Sequence, residues 1–108
     1  MTADLILILT TMPDDDRADR LARTLVDERL AACVNVGAAM SSTYRWQNRV
    51  EVERERQIVI KTTRDRMEEV DARLRALHPY EVPEFVVLEA AAAAAYGNWV
   101  RDSTSRQP

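Results

Sequence analysis

The chain has 108 residues and a formal charge of −3, with 46% hydrophobic and 31% charged residues, a balance that fits one globular domain with a real core. Its mildly acidic composition gives no basic face for bulk nucleic-acid binding. The longest apolar stretch near the start, Leu5 to Leu9, is far short of the ~18 residues of a membrane span and follows no basic leader.

The cytoplasm is the expected location, with neither nucleic acid nor membrane as a partner. Cys33 stands alone, so no disulfide forms within the chain and no cysteine-based zinc cluster can be written. Two glycines, Gly37 and Gly97, and one histidine, His78, cannot supply a phosphate-binding glycine loop or a two-histidine zinc motif. A single domain is expected over 1–108, with a core at about 5–101 and a tail at 102–108.

Leu5-Ile6-Leu7-Ile8-Leu9 reads as a strand buried on both faces, broken by Met12-Pro13. Asp14-Asp15-Asp16 then precede a stripe of Ala18, Leu21, Ala22, Leu25 and Val26 at helical spacing. Carboxylates at that point are expected to cap free backbone N–H groups; a divalent-metal role is the sharper alternative. Ala32 to Trp46 reads as extended, Gln47-Asn48 as a turn, and Val50 to Thr63 as extended again. A second helix carries Met67, Val70, Leu74 and Leu77 on one face and stops near His78, because Pro79 disfavours helical geometry in the residue before it. Phe85 to Leu88 forms a fourth strand, Ala90 to Ala95 leads into a short helix with Tyr96, Trp99 and Val100, and a frayed tail is expected from Ser103.

The order β-α-β-β-α-β plus a helix is the split βαβ arrangement of ferredoxin-like α+β folds. Strands of about 14 residues span ~46 Å, whereas helices of about 14 residues cover ~21 Å. The central hairpin is therefore expected to overhang the helices and expose backbone edges that pair with another chain, unless a bend near Gly37 shortens it. A homo-oligomer is predicted on this ground.

Several residues carry candidate chemistry. His78 can act as a metal ligand or an acid–base group, or sit as a cation at a helix C-terminus. Cys33 reads as a small buried hydrophobe. Tyr44 and Trp46 share one strand face and suit an interface or a pocket wall; Trp46 meets Arg49 across a two-residue turn, with a cation–π contact, or Val50 across a three-residue turn. Glu51, Glu53 and Glu55 alternate with Arg54 and Arg56 and read as a solvated or salt-bridged strand, with an acidic rim for cations as the alternative. Lys61 is placed to hold an anion or to pair with Glu84.

Taken together, Thr11-Met12-Pro13-Asp14, Leu30-Ala31-Ala32-Cys33-Val34-Asn35, Tyr44-Arg45-Trp46, Ile60-Lys61-Thr62-Thr63 and His78-Pro79-Tyr80-Glu81-Val82-Pro83-Glu84 resemble the CutA divalent-cation-tolerance family. The resemblance implies a tight homotrimer of ferredoxin-like subunits whose hairpins pair between neighbours. It also implies a non-enzymatic part in metal tolerance, with copper or another divalent ion bound weakly. The architecture is similar to PII-type signalling trimers, which makes Tyr44, Trp46, Lys61, His78, Tyr80 and Glu84 candidates for an intersubunit cleft. Copper binding in some members is attributed to a cysteine at the end of the first strand and two adjacent histidines before the Pro-Tyr; the matching positions here are Thr10 and Leu77-His78, leaving His78 as the carried-over ligand. The alternatives are a sensor taking a small anionic metabolite near Lys61, and a structural anchoring module.

Overall fold

The apolar run near the start becomes the centre of a sheet. In a computed structural model describing residues 2–106, with Thr2 and Ala3 by their backbone alone, β1 spans Thr2–Pro13 and α1 Arg17–Asp27. Two long strands follow, β2 over Cys33–Trp46 and β3 over Arg49–Thr63. A 3-10 turn at Arg64–Arg66 leads into α2, Met67–Leu77, then β4, Val86–Ala92, and α3, Ala94–Ser103. The sheet order is β2-β3-β1-β4 with every neighbouring pair antiparallel, the ferredoxin-like plan expected.

Alternation along the strands sorts the side chains between two faces. Ile6, Ile8 and Met12 of β1 and Ile58 and Ile60 of β3 form the core with Ala18, Leu21 and Leu25 of α1 and Val70 and Leu74 of α2. Val26 and Leu77, expected on the buried helical stripes, lie at the helix ends and stay exposed. Of the three aspartates, Asp15 does the capping, accepting the Arg17 backbone N–H at 3.0 Å, while Asp16 reaches Arg20 instead.

The alanine run is divided rather than helical throughout. Ala90 and Ala92 pair with β1 and pack with Leu5, Ala32 and Val100; their small side chains let α3 lie close on one end of the open sheet face, and this packing overrides alanine's helical preference. The frayed end is also a correction. Thr104 is buried, its carbonyl accepts from Arg66 Nε at 2.9 Å, and Arg29 donates to the carbonyls of Asp102 and Ser105, both at 2.7 Å. Two arginines projecting from the body thus hold the carbonyls that a helix C-terminus leaves open. Gln107 and Pro108 of the expected tail lie outside the described residues.

The hairpin does overhang. β1 pairs with β3 only as far as Pro13↔Glu55, so the six pairs from Ser41↔Arg54 to Trp46↔Arg49 form a bare two-stranded ribbon. It extends the molecule to 44 Å along its longest axis, against 24 and 23 Å across. The turn has two residues, with Gln47 at φ 50° and Asn48 at φ 65°, the left-handed pair of a type I′ hairpin. Trp46 therefore stands opposite Arg49, whose guanidinium lies 3.7 Å from Glu51.

A bulge between Val36 and Ala39 adds one residue to β2. Before it the even-numbered residues face the helices, as with Val34 and Val36 packed on the core; after it they face the other way. Gly37 sits at this point because an added Cβ would meet the Gln57 carbonyl at 3.2 Å. Arg56 secures the bulge, donating from Nε to the Gly37 carbonyl at 2.9 Å and approaching Asp19 of α1.

Candidate binding cleft

The parity change carries Met40, Ser42, Tyr44 and Trp46 onto the open face, beside Glu55 of β3. The loop after α2 rises opposite them. Pro79 holds His78 extended, with ψ 136°, turning the chain away from the helix toward the sheet. Between ribbon and loop lies a cavity of about 580 Å³, within the size range of small-molecule sites. Tyr44, Trp46, Tyr80 and Glu84 all line it, together with Thr11, Glu55 and Glu81.

Four residues, three of them in its lining, form a closed hydrogen-bonded ring. His78 Nε2 lies 2.6 Å from the Thr11 carbonyl, which can only accept, so this nitrogen carries the proton. Thr11 Oγ1 donates to Glu55 Oε2 at 3.0 Å, and the Tyr80 hydroxyl donates to the same oxygen at 2.8 Å. The Tyr80 backbone N–H returns to His78 Nδ1 at 3.2 Å, with the two rings 4.7 Å apart. The ring ties the loop to both β1 and β3.

Burial foremost pushes the His78 pKa below its ordinary 6.5, outweighing the opposing hydrogen bond to Thr11, so the imidazole is neutral at pH 7. Burial, followed by the hydrogen bond to Glu55, raises the Tyr80 phenol well above its usual range. Tyr44 is also raised, by desolvation first and then by the charges of Glu53, Glu51 and Glu55. The cleft is acidic and aromatic.

Of the residues expected here, Tyr44, Trp46, Tyr80 and Glu84 come together, and His78 stands behind the wall as its support. Lys61 does not join them. It lies toward the other end of β3, across from Leu7 and Cys33, and makes no ion pair with Glu84 or any other described residue. Cys33 is half-buried on that open face instead of inside the core. Glu55 is the residue the alternating pattern concealed. Glu51 and Glu53 belong to the ribbon, but Glu55 meets the last paired residue of β1 and is only 7% exposed.

These donors do not fit a tightly held copper ion. Both His78 nitrogens are engaged by the backbone, leaving no free lone pair on the ligand expected from the sequence. Among the described residues no three His, Cys, Asp or Glu side chains converge as a metal-binding group.

A family model for the CutA1 divalent ion tolerance protein matches residues 6–103. The chain belongs to this family. A divalent-cation tolerance protein CutA of Thermus thermophilus is 41% identical over 99 residues, covering 91% of this chain and 96% of the relative. The crystal structure of CutA from Xylella fastidiosa superposes with a TM-score of 0.91 at 39% identity, covering 94% of this chain and 99% of that one. The structure of CutA from Synechococcus elongatus gives a TM-score of 0.89 at 41% identity over 96% and 93% of the two chains. The CutA1 fold thus extends over nearly all of this chain.

Proposed function

We propose that this chain is a non-enzymatic homotrimer that serves divalent-cation tolerance as a binding protein, with the cleft at the hairpin's root as its ligand site. The bare ribbon carries the reading. Val50 and Val52 are more than 60% exposed, although an isolated two-stranded ribbon is marginal in water. A second copy would supply both the missing backbone partners and the apolar cover. The open sheet face, with Val86 and Leu88 each 45% exposed, offers a further surface for the same assembly. The number three follows the family resemblance.

Metal binding in this reading is weak and does not depend on His78, whose ring nitrogens are committed to the loop. An anionic metabolite in the cleft is disfavoured, since Lys61 lies outside it and carboxylates line it. Native mass spectrometry with and without a slight excess of copper(II) tests both parts. The expected result is a trimer that takes up copper poorly, to the same extent in His78→Gln. A monomer overturns the assembly, and stoichiometric copper lost on His78→Gln overturns the account of the metal.

A further inference from the structure

We propose that the cleft takes a small organic cation, an alkylammonium or guanidinium group, with Glu55 as counter-ion and the rings of Tyr44, Trp46 and Tyr80 as walls. This rests on the cleft being the ligand site, and it names the class of ligand.

Glu55 is the first observation. Both of its hydrogen bonds end on Oε2, so Oε1 has neither a hydrogen-bond partner nor an ion pair among the described residues. A buried carboxylate left without a cation is costly, yet this one lines a cavity from which a cation can reach it. The neighbouring cations are already committed. Arg17 is held by Asp15 at 2.8 Å, and Arg56 is turned to the helix face, on the Gly37 carbonyl and Asp19. Glu81 and Glu84 add negative charge to the lining.

The aromatic walls are the second observation, independent of charge. Aromatic faces attract ammonium and guanidinium groups while presenting apolar area to an attached alkyl body. They offer nothing to a hard metal ion, which needs several oxygen ligands, and the carboxylates repel phosphate or carboxylate ligands. Carboxylate and rings together select a cation that is partly apolar.

The chain has two tryptophans, Trp46 and Trp99, so Trp99→Phe on the exposed side of α3 leaves Trp46 as the sole indole reporter. Its emission is titrated with butylammonium and with low millimolar guanidinium, with sodium butyrate and phosphate as anionic controls. The expected result is a saturable response to at least one cation and none to the anions, weakened at least tenfold by Glu55→Gln. That variant keeps a carbonyl oxygen to accept from Thr11 and Tyr80, and its native mass and melting temperature are expected to stay those of the parent. Absence of a saturable response to either cation, equal binding by Glu55→Gln, or equal binding of butyrate overturns the inference. Native mass spectra of the same samples separate the two failures: a trimer blind to both cations overturns the cation assignment alone, and a monomer blind to them overturns the assembly as well.

Discussion

β2 and β3 run through two regions that differ in what stabilises them. In the body, Ile58 and Ile60 are fully buried between β1, α1 and α2, and the chain itself supplies every neighbour they need. In the ribbon, beyond Pro13↔Glu55, the same two strands have only each other, and residues 43–50 are all exposed. The body is explained by packing within one chain. The ribbon keeps strand-forming, apolar residues that find no cover there, so its explanation lies in a second copy.

Changes in the two regions should therefore fail differently. Ile60→Ala removes a side chain with no room to collapse and should cost about 2–5 kcal/mol, read as a lowered midpoint in chemical denaturation. A loss below ~1 kcal/mol would place the centre of the core elsewhere. Val52→Lys should leave the secondary structure of the body intact while removing about 1.5–3 kcal/mol of apolar burial per copy from the interface. Sedimentation should then show dissociation without unfolding; a Val52→Lys chain that remains a trimer would detach the ribbon from the assembly.

His78 tests the junction between the regions. Its native pKa lies below the ordinary 6.5, so the unfolded chain takes up a proton that the native chain resists. Stability is then complete above that value and declines as pH falls below it, until the native imidazole also protonates. His78→Gln should lose about 1–2 kcal/mol at neutral pH and should flatten the stability profile below about pH 7. An unchanged slope would remove His78 as its source. The smallest effect is expected at the turn, where Gln47→Asn with Asn48→Gly suits the positive φ values and should stabilise the hairpin by about 0.5 kcal/mol. That gain should appear as slower amide exchange in the ribbon with little change in the body.

Much of this division is legible in the residues. The run Leu5 to Leu9 marks a strand, but helices α1 and α2 cover only its Ile6 and Ile8 face, and Leu7 and Leu9 stay half-buried on the open one; the stripes of α1 and α2 and Pro79 after His78 carry local signals that the fold follows. The overhang also follows from comparing strand and helix lengths. Glu55 was hidden because Glu51, Glu53 and Glu55 alternate identically, and only the reach of β1 distinguishes the buried one. The bulge was equally silent: Gly37 and Ala38 offer no period from which to read the parity change that brings Tyr44 and Trp46 to the cleft. His78 showed its chemistry but not its partners, since the Thr11 carbonyl that engages it lies 67 positions away. The alanine run had no side-chain pattern at all, and register with β1 decided it.

The central claim is that the ribbon is completed by other copies of the chain. Native mass spectrometry of the unmodified protein at low micromolar concentration addresses it most directly. The account predicts one dominant species at three times 12.3 kDa, and a monomer whose ribbon amides are nonetheless as protected from exchange as those of the body would contradict it.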